Sequence, residues 1–415
     1  MKMTQSLFIK TLLERGYIHQ CTDMDGLDQK MNNEVVPAYI GFDATADSLH
    51  VGSLLPIMML RHLQKCGHKP IVLMGGATTR VGDPSGKDES RKMLNDDDIE
   101  KNITGIKKVF EQFLKFGKGK TDAIIINNND WLKDINYIEF LRDYGKNFSV
   151  NRMLTFESVK LRLDRQQPLT FLEFNYMLLQ AYDFMELNRK MNVSLQMGGS
   201  DQWGNIVNGV ELSRRVNNSQ VYGLTVPLLT TASGAKMGKT ADGAVWLNQD
   251  RLADFDYWQF WRNTEDADVI KFLKLFTELP MEEIAKLEKL QGAEINSAKE
   301  ILANEATKLC RGEKASLSAQ KTANDTFSGN ALGADLPTLS KTQSELNKGI
   351  GLLTILTEFG FTSSNGDARR QIQGGAVKVN DTKINDTNYI INKDNIINDT
   401  IKISVGKKKI GVIKI

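Results

Sequence analysis

Residues 1–249 predict a doubly wound α/β domain, on three observations. Fully apolar runs such as PIVLMGG alternate with helical patterns, as a parallel sheet covered on both faces requires. The runs are followed by polar loops rich in turn formers. The segment Pro37–Gly75 has the length and pattern of one strand–helix–strand unit, which implies a right-handed crossover and ligands at the carboxyl ends of the strands.

Taken in order, AYIGF is a short strand and DATADSLHVGS a loop. LLPIMMLRHLQKCG is a helix that stops at Gly67, and PIVLMGG is the next strand. DAIIINNNDW reads as another buried strand running into a polar loop. PLTFLEFNYMLLQAYDFMEL has a long helical pattern, and NVSLQMGGSDQWGNIVNGVELSRR reads strand, glycine loop, helix. Helical material therefore sits between the two halves of a Rossmann-like sheet. Residues 250–332 are charge-rich and helical without a strand signal. Residues 333–348 carry Gly, Ser, Thr and Pro and predict a linker. In 349–415, GIGLLTILTEFGF and NGDARRQIQGG predict two short helices, and AVKVN, KISVG and KIGVIKI predict short strands, a small α+β module.

Composition narrows the function. The chain has 415 residues, enough for two to four domains at about 100–200 residues each. With 41% hydrophobic and 25% charged residues, wholesale disorder is excluded. The 53 Lys and Arg nearly balance the 51 Asp and Glu, so a polyanion must be met by a local patch rather than by net charge. No apolar run is long enough to cross a membrane, and the opening MKMTQSLFIKTLLERG carries Glu14 and lacks the apolar centre of a secretory leader. Cys21, Cys66 and Cys310 form no C-x-x-C, and His19, His50, His62 and His68 are scattered. Neither a metal site nor a disulfide framework is expected, and the chain suits a reducing cytoplasm.

Two segments carry candidate phosphate chemistry. Leu49-His50-Val51-Gly52-Ser53 lies where the first strand turns into the first helix, where free N–H groups and the helix dipole favour anions. By itself this turn is equally an ordinary loop. Lys236-Met237-Gly238-Lys239-Thr240 sets two lysines in a Gly-rich loop, suited to clamping a polyphosphate, or simply a solvated basic loop. Two better-known phosphate loops are absent. No G-x-G-x-x-G follows the first strand. Gly82–Asp88 is one residue short of a P-loop and has Asp88 where a magnesium-binding hydroxyl belongs.

Together, in this order, the H-x-G-x and K-M-x-K-[ST] words resemble the two signatures of class I aminoacyl-tRNA synthetases. Tyr39–His50, GDPSGK from Gly82, YMLLQAYDF from Tyr176 and QMGGSDQWGN from Gln196 are similar to the bacterial-type tyrosyl-tRNA synthetases over nearly the whole chain. The chain departs from the family at Ser53, where a second histidine is usual, and reads KMGKT rather than KMSKS.

The resemblance implies attachment of tyrosine to tRNA(Tyr) through a tyrosyl-adenylate, with Mg2+ entering with ATP and no tightly bound cofactor. It implies catalytic roles for His50, Lys87, Arg91, Lys236, Lys239 and Thr240. It implies an ATP site of Gly41, Asp43, Thr45, His50, Gly52, Ser53, Gly199, Asp201, Lys236, Met237, Gly238 and Lys239. Tyrosine would meet Asp83, Tyr176 and Gln180 at its ammonium, Tyr39 and Asp183 at its phenol, and Gln202 at its carboxylate, with Gln196 also in the tyrosine site. The residues add geometry of their own: Tyr176, Gln180 and Asp183 follow at i, i+4 and i+7, one face of a helix. The module from 349 resembles the RNA-binding domain of ribosomal protein S4, with Arg369, Arg370 and Lys378 as phosphate contacts. A homodimer is implied, a membrane or DNA partner is not. The rival readings are a tryptophanyl-tRNA synthetase, a nucleotidyltransferase sharing H-x-G-x, and a non-enzymatic RNA-binding protein using the tail alone.

Overall fold

The computed structural model describes residues 5–85, 94–234, 237–240, 243–328, 336–397, 399–406 and 409–415, with backbone alone at 239–240 and 326–328. They form two units, one of residues 1–252 with 263–310, the other of 253–262 with 311–415.

The first unit is built on a six-stranded sheet: β1 (Gln20–Cys21), β2 (Pro37–Phe42), β3 (Lys69–Met74), β4 (Ile124–Asn127), β5 (Leu195–Gly199) and β6 (Tyr222–Val226). Their spatial order is β1-β6-β5-β2-β3-β4. β2 to β6 are mutually parallel, and β1 closes one edge antiparallel to β6. The chain runs outward from β2 through β3 to β4, then returns across β2 to lay down β5 and β6. This is the doubly wound order expected from the sequence, with its reversal between β2 and β5. Tyr39 of β2 lies in register with Ile71 on one side and Gln196 on the other.

One expectation is corrected here. The DAIIINNNDW strand is not buried on both faces. β4 is the sheet's far edge, and all four of its residues are half-buried. An apolar run alone does not distinguish an edge strand from a central one.

The helical insertion between β4 and β5 ends in the long helix Phe171–Met191. A capping box starts it, with Thr170 accepting from the Glu173 N–H and Glu173 accepting from the Thr170 N–H. The buried Arg162 guanidinium lies 3.0 Å from the Glu173 carboxylate. Helix Trp203–Asn217 packs along the 171–191 helix.

Residues 263–310 belong to this same unit. Arg15 donates to the carbonyls of Lys274, Thr277 and Leu279 at 2.7–2.9 Å, satisfying acceptors where helix Val269–Phe276 ends. Arg61 grips Glu278 with two bonds of 2.7 and 3.0 Å. The 250–332 stretch is helical as expected, but it is not one unit. Helix Asp254–Arg262 packs instead on helix Glu313–Ser328 in the second unit.

The expected linker is also corrected. Within 333–348, Thr338–Ser340 is a strand that pairs in parallel with Lys409–Lys414, and Gln343–Lys348 is a capped helix whose Leu346 is fully buried. Residues 333–335 lie outside the described set. Strands 382–383, 377–379, 400–405, 409–414 and 338–340 form one five-stranded sheet, in that order. Helices Leu352–Glu358 and Asn365–Gln373 cover it through Leu352, Ile355, Ala368 and Ile372. A composition of turn formers describes a short edge strand and a capped helix as well as it describes a linker.

Helix Asp96–Phe113 meets the loop before the first signature at Gly105. A methyl group there would lie 2.0 Å from the Asp47 carbonyl oxygen. Asn248 bridges the same two segments by donating to the Gly105 and Asp47 carbonyls. Alanine is intrinsically preferred in a helix by about 1 kcal/mol. Overpacking against backbone costs about 1–3 kcal/mol. Gly105→Ala is therefore expected to destabilise the protein, and a raised midpoint in urea or thermal unfolding would overturn this close approach.

Candidate active site

The reversal between β2 and β5 opens a cavity of about 480 Å3 at the carboxyl ends of the strands. Tyr39, Gly41, Phe42 and Asp43 line it from β2 and the turn after it. Gln196, Gly198, Gly199, Asp201 and Gln202 line it from β5 and its loop. Tyr176, Gln180 and Asp183 line it from the 171–191 helix, and Asp83, Thr45, His50, Gly52 and Ser53 from the loops. Of the residues assigned from the sequence to tyrosine, all line this cavity.

Asp183 is fully enclosed. Its carboxylate accepts from Asn128 Nδ2 at 2.9 Å and from Trp131 Nε1 at 2.8 Å. Burial pushes its carboxyl up to about 7; the Asn128 and Trp131 bonds oppose the shift, and the carboxylates of Asp43 and Glu186 add to it. The Tyr39 phenol is driven above its usual range by burial and by the nearby Asp183 charge. Its hydroxyl and Gln196 Oε1 are buried without a hydrogen-bond partner among the described residues.

Two polar chains hold the other groups. Asn128 also donates to Thr78, Thr78 donates to Asp43, and the Tyr176 hydroxyl donates to the same Asp43 oxygen at 3.2 Å. Gln202 donates to Asp83 at 2.7 Å, and Asn205 donates to both Gln180 and Gln202. Asn128, Trp131, Thr78 and Asn205 did not stand out in the sequence. The only signal for the first two was a polar NNNDW stretch directly after an apolar strand.

The first signature differs from expectation in one respect. Its backbone N–H groups are not free for an anion. Val51 N–H donates to Val245, Gly52 N–H to His50 Nδ1 at 2.9 Å, and Ser53 N–H to the His50 carbonyl. The His50 ring folds back over its own turn, and the chain after the second signature pairs beside it, as an antiparallel bridge between His50 and Trp246. Gly52 is closely approached on its other side. A methyl group there would lie 3.0 Å from the Met237 carbonyl oxygen.

The two signatures meet through Gly238, which has φ +83° and whose added methyl would stand 2.7 Å from the Gly52 nitrogen. This contact gives the departure from KMSKS a steric meaning, since a serine would not fit this docked position. Met237 is buried. The backbone of Lys239 and Thr240 forms a short antiparallel strand pair with Gly243–Ala244. Lys87, Arg91 and Lys236 lie outside the described residues. Ser53 precedes helix Leu54–Lys65 without capping it.

Comparison with known proteins decides the family. Residues 31–328 match the family model of class I tRNA synthetases (W and Y), and residues 330–413 match that of the tyrosine--tRNA ligase SYY-like C-terminal domain. The chain is 60% identical over 410 residues to the tyrosine--tRNA ligase of Caulobacter sp. (strain K31), covering 99% of this chain and 98% of that protein. The chain belongs to the tyrosine--tRNA ligases. To the enzyme of Rhodospirillum rubrum it is 56% identical over 415 residues, 100% of this chain and 99% of the other. Among solved structures, a C-terminally truncated mitochondrial tyrosyl-tRNA synthetase from Aspergillus nidulans superposes with a TM-score of 0.70 at 32% identity, over 78% of this chain and 95% of that one. As a tyrosine--tRNA ligase the protein attaches tyrosine to tRNA, and the tryptophanyl, nucleotidyltransferase and purely RNA-binding alternatives fall away.

In this ligase the Asp183 shift has a stability consequence. The folded protein holds the Asp183 proton more tightly than the unfolded chain does. This contribution is complete below about pH 4 and lost as pH rises to about 7. Asp183→Asn has no such proton, though it forfeits one acceptor at every pH. The stability of wild type relative to this variant should fall by roughly 2–4 kcal/mol between pH 4 and pH 8. Urea titrations at the two pH values measure it, and a constant difference would overturn the shift.

Proposed function

We propose that the cleft holds tyrosine with its phenol against Asp183 and Tyr39 and its ammonium among Asp83, Tyr176 and Gln180. The carboxylate, near Gln196 and Gln202, then attacks the α-phosphate of ATP. Pyrophosphate leaves, and the tyrosyl group passes from the adenylate to the terminal ribose of tRNA(Tyr), releasing AMP. The observation that carries this is the buried Asp183 acceptor beside an unpartnered Tyr39 hydroxyl at one end of the cavity. A phenol satisfies both: it donates to the carboxylate and accepts from Tyr39.

ATP would lie along Gly41, Asp43, Thr45, His50, Gly52, Ser53, Gly199 and Asp201, with the Asp201 carboxylate as acceptor for its ribose hydroxyls. His50 reaches it through the ring nitrogen not bonded to Gly52. Lys87, Arg91, Lys236 and Lys239, with Thr240, meet the phosphates as charge develops on pyrophosphate. No enzyme nucleophile is needed, since orientation and charge stabilisation carry the reaction. Mg2+ arrives with ATP as part of that substrate. The compartment this reading implies is the cytoplasm.

In the second unit, Ala368 and Ile372 bury one face of the 365–373 helix and leave Arg369 and Arg370 exposed. Asp367 pairs with Arg370 at 3.3 Å. Lys378 stands directly opposite Lys383 across two strands, a like-charge pair that a polyanion would relieve. This supports RNA binding by Arg369, Arg370 and Lys378. A homodimer is supported by an apolar surface on the first unit, where Phe171, 70% exposed, lines a cavity of about 280 Å3 together with Val81, Leu132 and Ile135. A monomer in sedimentation at working concentration would remove the dimer.

Two further measurements test the assignment. ATP–pyrophosphate exchange should respond to tyrosine at least 10²-fold better than to phenylalanine, because phenylalanine leaves buried polar groups unpaired, on the order of 3 kcal/mol. Comparable exchange with both would overturn the phenol pocket. Arg369→Ala with Arg370→Ala should leave exchange unchanged, weaken tRNA binding, and flatten its salt dependence by roughly one unit per lost phosphate contact. An unchanged salt slope would remove these arginines from the RNA surface.

A further inference from the structure

Helix Val269–Phe276 begins beside the base of the lysine loop. Asp268, at the position preceding this helix, is 4% exposed and makes no side-chain cap to its own helix. An Asp there ordinarily accepts from the N–H two or three residues on. Here its Oδ2 accepts instead from the Ala232 backbone N–H at 2.7 Å. One turn later, Lys271 Nζ donates to the Thr230 carbonyl at 3.0 Å. An acidic and a basic side chain at i and i+3 thus hold a backbone donor and acceptor two residues apart.

The segment between these two ends is the stem of the loop. It leaves β6 at Val226, lines the cavity with Pro227, Leu228 and Leu229, passes Thr230 and Ala232, and then runs into the loop that carries Lys236 and Lys239. The helix on which the stem rests is itself fixed at its other end, where Arg15 satisfies the Lys274, Thr277 and Leu279 carbonyls. Negative charge is favoured at a helix N-terminus, which makes the Asp268 carboxylate a good acceptor in this buried spot.

We propose that Asp268, assisted by Lys271, is a positioning residue that fixes the base of the lysine loop, so that Lys236 and Lys239 reach the ATP phosphates from a rigid stem. It touches no substrate. Its effect belongs to the ATP side of the reaction and not to tyrosine recognition, because the stem runs into the lysine loop and itself carries none of the phenol or ammonium contacts. This rests on the reading that the two lysines meet the phosphates.

The test is pyrophosphate exchange by the full-length enzyme with Asp268→Ala, Asp268→Asn and Lys271→Met. Asp268→Ala should lower the exchange kcat about ten-fold, the worth of one hydrogen bond to a charged group, with KM for tyrosine unchanged. Asp268→Asn should recover most of the rate, because its amide oxygen accepts the same N–H. Lys271→Met, at an exposed position, should give a smaller loss of the same kind even if the Ala variant fails to fold. Wild-type kcat in Asp268→Ala and Lys271→Met overturns the proposal. So does a loss shared equally by KM for tyrosine and thermal midpoint that Asn does not rescue. Lys236→Ala and Lys239→Ala separate the two levels: if neither alters exchange, the phosphate reading fails, and if both do while the Asp268 variants do not, the anchor alone fails.

Discussion

The chain's chemistry depends on the reversal of strand order between β2 and β5. Right-handed crossovers carry the connections from β2 to one side and those reaching β5 and β6 to the other. The carboxyl ends of these two strands are therefore left uncovered at that point. The central position of Tyr39, in register with Ile71 and Gln196, follows from it. So does the location of the cavity, whose walls are loops leaving neighbouring strands in opposite directions.

Within that crevice, acceptors are held by the frame. Asp183 is fixed by Asn128 and Trp131, and Asp43 by Thr78 and Tyr176. The acceptors thus sit in a preorganised network whose members satisfy each other, and they need not move when a ligand arrives. The lysines of the second signature belong to a segment that docks through Gly238 on the first. The division suits a reaction that must read a neutral phenol with fixed geometry and neutralise a polyphosphate that comes and goes.

The second unit follows different rules. Its five-stranded sheet is closed by Thr338–Ser340 and buries a compact aliphatic core. Its cationic groups stand outside that core, and the pairing of Lys378 opposite Lys383 sacrifices some stability for surface charge. Stability there comes from the apolar face, so charge can change on the polar surface without touching the fold.

By itself the sequence determined what is local or periodic. The apolar runs of β2, β3 and β5, the long 171–191 helix with Tyr176, Gln180 and Asp183 on one face, the two signatures, and the short helix carrying Arg369 and Arg370 were all legible, because period and residue type encode them. Tertiary structure alone decided the rest. The short β1 edge strand, the edge position of β4, and the strand and helix inside 336–348 depend on pairing partners far along the chain. The same holds for Asn128 and Trp131 at Asp183, the internal use of the N–H groups around His50, and Asp268 turning from its own helix to Ala232. A hydrogen-bond donor or acceptor carries no mark in sequence of which distant group will satisfy it. That choice is made only when the packed core brings the two within about 3 Å of each other.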